Sequence, residues 1–132
     1  MVSVDLSARD GDGHVVMVQR GELDVTDAAG VAAALAMVMV REPEIIVDLA
    51  GLEFIDVSGV AALARGRKRA RHAGGDLPLA APQRQVLRVL GLTRLIDVFA
   101  VHVSVTEAPR SAGRSRPAAV RVAGRSAGVA GT

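Results

Sequence analysis

The side chains best placed to do chemistry in this sequence lie in one short stretch, Asp56-Val57-Ser58-Gly59. A serine hydroxyl becomes a nucleophile when a neighbouring base activates it. The nucleophile elbow of hydrolases needs a glycine two residues before the serine, but Asp56 stands there, and no histidine is an evident base for Ser58. We therefore predict that the protein is not an enzyme and has no catalytic residue.

Most other chemistries lack the residue types that they require. The sequence has no cysteine, which excludes disulfides, thiolate metal sites and a cysteine nucleophile. His14, His72 and His102 are far apart and share no metal-ligand spacing. Phe54 and Phe99 are the only aromatic residues, so there is no stacking platform for single-stranded nucleic acid. We predict no metal and no cofactor.

Positive charge is concentrated in two places. All 14 acidic residues lie at or before Glu107, so residues 1–108 carry a net charge of −3, whereas five arginines give residues 109–132 a charge of +5. Five basic residues also cluster within one predicted helix, at positions 65, 67, 68, 69 and 71. They point in several directions, so we interpret them as a solvated helix face rather than a nucleic-acid patch.

Composition divides the chain into two parts. Residues 1–108 have the apolar patterning of a folded domain, and residues 109–132 have no apolar periodicity. Such a segment buries too little surface to offset its ordering entropy, so we predict a basic, disordered tail. The alternative, an arm that touches nucleic acid or an acidic partner, stays open. Direct binding of nucleic acid by the domain is not expected.

The sequence favours a cytoplasmic location. Residues 1–5 lack the basic-then-apolar order of a signal peptide. The longest apolar run, residues 31–40, is about half the length of a membrane span. We therefore expect a soluble protein that makes no contact with a membrane.

The apolar pattern predicts a mixed α/β sheet in the order β-β-α-β-α-β-α-β. Alternating apolar residues predict strands over 2–8 and 14–19, joined by an Asp-Gly turn and ended by Gly21. Further strands are expected over 45–49, 77–81 and 98–103, and helices over 27–40, 59–73 and 83–90. Asp24 or Thr26 is expected to cap the first helix. Strands separated by helices predict parallel pairs, with helices mainly on one face.

These elements place the serine where open α/β sheets tend to carry function. A buried strand leads into a loop that carries Asp56 and Ser58, and a helix follows at once. The C-terminal end of a parallel strand and the start of a helix together form a spot that receives an anion. Taken alone, however, Ser58 is more often a helix N-cap, and Asp56 a loop or cap residue. Glu22 and Asp24 alone are most simply solvated turn residues and a cap for the first helix.

The chain resembles the STAS family, named for sulfate transporters and anti-sigma factor antagonists. The motif Asp56-Val57-Ser58-Gly59 after Val47-Asp48-Leu49, and the upstream turn Gly21-Glu22-Leu23-Asp24, carry the resemblance. The sequences Ala70-Arg71-His72-Ala73-Gly74-Gly75 and Val89-Leu90-Gly91-Leu92-Thr93 extend it over about residues 2–108. The chain departs from the family in having Val57 where a small or hydroxyl residue is frequent, and Arg94 where a glycine is usual.

The resemblance implies a partner-switching anti-sigma factor antagonist. The unphosphorylated protein would bind an anti-sigma factor, often a serine kinase, and free the sigma factor. Phosphorylation of Ser58 would end that binding, and a serine phosphatase would restore it. The resemblance places partner binding at six residues: Glu22, Asp24, Asp56, Val57, Ser58 and Gly59. The alternative is a STAS scaffold or small-ligand module that is never phosphorylated.

Limited proteolysis tests the predicted domain boundary. Because the tail composition cannot support a packed core, a protease should trim the chain to near Ala108 and stop there. Intact mass spectrometry of the fragments gives the end point. A protected fragment that extends past Gly124 would contradict the assignment of residues 109–132 to a tail.

Overall fold

The computed structural model describes residues 1–8 and 15–107. Five strands lie at Val2–Ala8 (β1), Val15–Leu23 (β2), Ile45–Ile55 (β3), Leu79–Ala80 (β4) and Val101–His102 (β5). Three helices lie at Val25–Met39 (α1), Val57–His72 (α2) and Arg84–Leu92 (α3), and a short 3-10 turn follows at Val105–Glu107. The predicted element order is confirmed. Within the described residues, no helix is both long and apolar enough to cross a membrane.

The sheet order explains why the helices share one face. The strands lie in the order β1-β2-β3-β4-β5, with β1 antiparallel to β2 and every later pair parallel. Each parallel pair is joined through one helix, and each connection advances to the next strand in the same direction. Because such crossovers are right-handed, all three helices must fall on the same side of the sheet. The prediction of a mixed sheet with helices mainly on one face is confirmed.

The main core lies between this helix layer and the sheet. Its fully buried side chains include Met17 and Val47 from the sheet, Leu35 from α1, Leu63 from α2 and Leu90 from α3. A second, smaller cluster on the opposite face consists of Val16, Ile46 and Ala80, with Val18 and Val105 packed against it. Since β3 is buried on both faces, its first half reads as the continuous apolar run that the sequence showed.

The prediction that β3 ends at Leu49 is wrong, because the strand continues to Ile55. Two register shifts against β2 give β3 one extra residue between Asp48 and Gly51 and another between Leu52 and Phe54. Each such bulge breaks the strict alternation of side chains. Leu49, Leu52 and Ile55 therefore all reach the core at intervals of three, a spacing that does not suggest a strand in the sequence.

Other predicted boundaries of strands and helices also differ from the observed ones. Gly21 does not end β2, which runs on to Leu23; Gly21 instead takes a φ of 91° beside the second register shift. The helix α2 begins at Val57 rather than Gly59, so the expected loop shrinks to Asp56 alone. The last two strands are shorter than predicted. The predicted turn at 10–13, His14 and the tail at 109–132 lie outside the described residues.

Arg94 ends α3 in a conformation that favours glycine. Its φ is 63°, in the left-handed region. The amide of Leu95 donates to the Leu90 carbonyl at 3.1 Å and that of Arg94 donates to the Gly91 carbonyl at 3.1 Å. These two bonds make a Schellman motif with an arginine at the position where glycine is preferred. The end of α2 has the same arrangement, but with Gly74 at a φ of 90°.

Replacing this arginine by glycine should stabilise the protein. Left-handed backbone costs about 1–2 kcal/mol in a residue with a Cβ, and Arg94→Gly removes that strain. The added freedom of glycine in the unfolded chain offsets about 0.5–1 kcal/mol, so we expect a net gain of about 0.5–1 kcal/mol in urea unfolding. Arg94→Ala is the control, since it removes the guanidinium but keeps the strain. An equal gain in both variants would show that the side chain, not the backbone, is responsible.

Candidate functional site

The site lies where two neighbouring parallel strands end. The residues Leu23 and Ile55, which are the last of β2 and β3, are register partners. Each strand is followed by a single aspartate and then by a helix, so α1 and α2 start side by side at one edge of the sheet. The structure thus brings Asp24 and Asp56, two of the predicted partner-binding residues, to the same edge.

Asp56 joins the two helix starts. Its Oδ1 accepts a hydrogen bond from the Gly59 amide at 3.0 Å, which makes Asp56 the N-cap of α2. Its Oδ2 accepts from the Val25 amide, the first residue of α1, at 3.1 Å. The Asp56 amide in turn donates to the Leu23 carbonyl at 3.1 Å. One carboxylate thus satisfies backbone donors of both helices, which otherwise have no intrahelical partner.

Asp24 caps α1 in the usual way. Its Oδ1 accepts from the Thr26 amide at 3.0 Å and from the Thr26 hydroxyl at 2.6 Å. The hydrogen bonds from the Thr26 hydroxyl and amide lower the pKa of Asp24 below its ordinary value. Of the two cap candidates that the sequence offered, Asp24 is therefore the cap and Thr26 supports it. Asp24 is ionised at neutral pH, where a negative charge favours the positive end of the helix dipole.

Ser58 is not the N-cap. It is the second residue of α2 and is partly exposed. Among the described residues, no hydrogen bond involves its hydroxyl. Because Asp56 already performs the capping, the interpretation of Ser58 as a structural cap is wrong. Its hydroxyl lies at the edge of the site without any structural task in the described part of the chain.

Gly59 allows the first turn of α2 to lie against the sheet. A Cβ at this position would stand 2.8 Å from the Leu23 carbonyl oxygen and 2.8 Å from side-chain atoms of Leu23 and Ile55. Two of these contacts are with buried side chains and one is with backbone, so none of them can yield without moving the strand end. The glycine after the serine is therefore needed for packing, and it fixes how far Ser58 stands from β2.

Several acidic side chains stand at the same edge of the sheet as the serine. Asp56 is two residues before it, Asp24 caps the adjacent helix, and Asp27 lies in the first turn of α1. Glu22 precedes them at the end of β2, opposite Phe54 on β3, and its side chain is 51% exposed. No group of three or more histidine, aspartate or glutamate side chains in the described ranges is arranged to hold a metal ion.

Three exposed apolar residues stand at this edge of the sheet, and the sequence predicts only one of them as part of the site. Val25 and Val57 are each 68% exposed and occupy the equivalent first position of α1 and α2, directly after the two caps. Phe54, one of two aromatic residues, is 48% exposed at the end of β3. The sequence argument named Val57 but missed Val25 and Phe54. The repeated pair Asp-Val at 24–25 and 56–57 was a signal that could have revealed Val25.

Removal of the Asp56 carboxylate should destabilise the domain. Asp56→Ala leaves the amides of Gly59 and Val25 without their acceptor, so we expect a loss of about 1–3 kcal/mol in the free energy of unfolding. Asp24→Ala is the matched control, because it removes a cap from one helix only and should cost about 0.5–2 kcal/mol.

The variant Asp56→Asn tests whether both hydrogen bonds accepted by Asp56 contribute to stability. Its single amide oxygen can replace only one of the two carboxylate acceptors, so its loss of stability should fall between those of wild type and Asp56→Ala. Denaturant unfolding followed by circular dichroism measures all three variants. If Asp56→Ala were as stable as wild type, the carboxylate would not join the two helices in solution.

Comparison with known proteins places this site in a family. A family model described as the STAS domain matches residues 5–108. The anti-sigma-F factor antagonist RsfA of Mycobacterium tuberculosis is 34% identical over 101 residues, which cover 74% of this chain and 78% of that protein. The match to the family model therefore includes every residue of the described site.

Solved structures share the fold. An anti-sigma factor antagonist from Mycobacterium paratuberculosis superposes with a TM-score of 0.68 at 24% identity, covering 80% of this chain and 90% of that one. Unphosphorylated SpoIIAA gives 0.62 at 24% identity, over 77% and 90%. The phosphorylated form of SpoIIAA, a Bacillus cell fate determinant, gives 0.58 at 20% identity, over 77% and 94%. Since the family model spans most of the chain and the fold agrees with it, the protein belongs to the STAS domain family.

Proposed function

We propose that this protein is an anti-sigma factor antagonist whose binding is switched by phosphorylation of Ser58. In its unphosphorylated form it binds an anti-sigma factor and so releases a sigma factor in the cytoplasm. Phosphorylation of Ser58 ends that binding. The protein acts by binding and not by catalysis.

The observation that carries the proposal is the Ser58 hydroxyl, which is free of structural hydrogen bonds and directly follows the exposed Val57. The hydroxyl makes no hydrogen bond in the described part of the chain, and Val57 beside it is 68% exposed. The name of the relative RsfA supports the binding function, and the phosphorylated form of SpoIIAA supports phosphorylation as the switch. The expected interface comprises Glu22, Asp24, Asp56, Val57, Ser58 and Gly59, to which we add Val25 and Phe54.

The physical basis of the switch is charge. A phosphoserine carries about −1.5 to −2 charges at pH 7 and three strong acceptor oxygens. At Ser58 this charge would join those of Asp24 and Asp56 next to apolar groups that the partner must cover. Burying it in such an interface without a cationic partner is costly. Within the protein itself, the start of α2 offsets part of the cost, because the helix dipole favours negative charge there.

The partner is expected to be an anti-sigma factor of the serine kinase type, with a serine phosphatase to reverse the modification. A kinase needs an acceptor hydroxyl that is accessible and held in place. Asp56 accepts a hydrogen bond from the Gly59 amide and so holds the first turn of α2 in place, while Ser58 stays partly exposed. A STAS scaffold that is never phosphorylated would use the same surface, and labelling of Ser58 by the captured partner distinguishes the two.

Binding experiments test the proposal. Wild-type protein should capture an anti-sigma factor from its native cytoplasm, and the captured protein, identified by mass spectrometry and purified, should label Ser58 with ATP. Calorimetry should show that Ser58→Ala binds like wild type, whereas authentic phosphoserine protein binds at least about tenfold more weakly, which is about 1.4 kcal/mol. Ser58→Asp should lie between them because a carboxylate carries less charge.

The control places the same charge elsewhere. Ser7 on β1 pairs with Val16 at the opposite end of the sheet, so Ser7→Asp should bind the anti-sigma factor like wild type. Ser58→Ala should also keep the stability of wild type, since the hydroxyl has no hydrogen bond to lose in the described structure. Equal affinities of the phosphorylated and unphosphorylated proteins would rule out the switch.

A further inference from the structure

The basic residues of α2 fall into two groups that the sequence could not separate. Arg67 and Arg71, one turn apart, both pair with Asp76, at 3.5 and 3.6 Å. The remaining three, Arg65, Lys68 and Arg69, form with the neighbouring His72 a row that we call the cationic stripe. Their side chains are exposed and make no ion pair within the described residues. Arg67 and Arg71 therefore attach the end of α2 to Asp76. The cationic stripe has no ion-pair partner among the described residues.

The cationic stripe borders a groove between α1 and α2. Ala32, Ala33, Leu35, Ala36 and Met39 of α1 line one side, and Ala62, Arg65, Gly66 and Arg69 of α2 line the other, around a volume of about 200 Å³. A second, shallower depression of about 500 Å³ continues from it along Arg65, Lys68, Arg69 and His72. No acidic side chain lines either depression. The α1 wall is thus small and apolar, whereas the α2 wall combines the buried small residues Ala62 and Gly66 with two exposed arginines.

The outer face of α1 is unusual for a helix in contact with water. Its exposed positions beyond the first turn include Ala29, Gly30, Ala33 and Met37, none of which carries a polar group. A helix on the surface of a domain normally places charged or polar residues on its outer side. Beyond Asp27 the whole of α1 has no charged residue. The α1 wall therefore has the character of a surface that another element covers.

We propose that the groove between α1 and α2 binds an acidic amphipathic helix of a partner protein. Small side chains on α1 allow a third helix to approach closely, and its apolar face would cover Ala33 and Ala36. Acidic residues along one flank of that helix would meet Arg65 and Arg69, whose charges are unpaired in the described structure. The occupant is argued from this complementarity of one apolar and one cationic wall, a pattern by which grooves recognise amphipathic helices.

A nucleic acid fits the same surface less well. A nucleic-acid interface is polar throughout and needs cations that follow a phosphate backbone. Here the cations stand on one wall only, and the opposite wall offers methyl groups and the Met39 side chain. Within the described ranges, no Phe, Tyr or Trp for base stacking lines either depression. A protein helix uses both walls, whereas a nucleic acid would leave the apolar wall in contact with phosphate.

The stripe is in line with Ser58. Arg65, Arg69 and His72 follow Ser58 by 7, 11 and 14 residues, spacings that return to the same side of an α-helix. Arg65 is about 10 Å further along the helix axis than Ser58. A partner helix longer than three turns in this groove would therefore reach the serine. The groove itself does not depend on phosphorylation, so the inference stands apart from the function proposed for Ser58.

A synthetic peptide tests the groove directly. The probe is a fluorescent helical peptide with glutamates repeating every third or fourth residue on one flank and leucine and alanine on the next. Fluorescence anisotropy should show saturable binding to the wild-type protein, and Arg65→Glu with Arg69→Glu should weaken it about tenfold or more. Raising the salt from about 50 to about 300 mM should also weaken it, because the charges are exposed. Ala33→Trp, which fills the groove without a change of charge, should block binding as well.

The matched control changes the same charge on another helix. Arg84 and Arg88 are exposed on α3, outside the groove, so Arg84→Glu with Arg88→Glu should keep the peptide affinity within about twofold of wild type. Circular dichroism confirms that each variant is folded. Equal loss in both double variants, no effect of Ala33→Trp, or tighter binding to duplex DNA or phosphatidylglycerol vesicles than to the peptide would overturn the proposal. So would a dimer of this chain that Ala33→Trp dissociates.

Discussion

The rest of the site depends on the two hydrogen bonds that the Asp56 carboxylate accepts. It accepts the Gly59 amide of its own helix and the Val25 amide of the neighbouring helix. Either bond alone would be an ordinary cap; together they fix the two helix starts relative to each other. The positions of Ser58, Val57 and Val25 on the surface follow from that one carboxylate. Substitution of Asp56 would therefore change the positions of its neighbours on the binding surface as well as its own contact.

The parallel arrangement of the helices gives the domain two electrostatic ends. Since each helix returns the chain from the C-terminal end of one strand to the start of the next, the three helices run in the same direction. Acidic residues stand at the starts of α1 and α2, and basic residues stand in the last turn of α2. Both placements suit the helix dipole. One consequence is that Ser58 and the cationic stripe lie on the same helix in surroundings of opposite charge.

The position of Ser58 depends on close packing at the end of β3 and at the start of α2. The bulges of β3 extend the strand to Ile55 and keep Leu52 and Ile55 in the core. As a result, β3 ends beside Leu23, the last residue of β2. Gly59 then lets α2 turn directly over the Leu23 carbonyl. A larger residue at 59 or an unbroken β3 would displace the start of α2. The surface that we propose as a switch is thus held by the buried side chains of Leu52 and Ile55 and by the close packing at Gly59.

The sequence by itself determined the element order, the fold class and the stretch that carries the site. These rest on local properties: alternating or continuous apolar residues, aspartates that precede helices, and glycines that end them. The sequence did not determine the length of β3, because bulges replace the period of two with intervals of three. Nor could it identify the second acceptor bond of Asp56, since Val25 is 31 residues away and is brought near only by the pairing of β2 with β3. The same holds for the arginines of α2: their spacing was visible, but only the position of Asp76 decides that Arg67 and Arg71 are paired and that Arg65 and Arg69 are not. Local patterns specify elements, whereas contacts between distant residues depend on register and packing, which exist only in the folded chain.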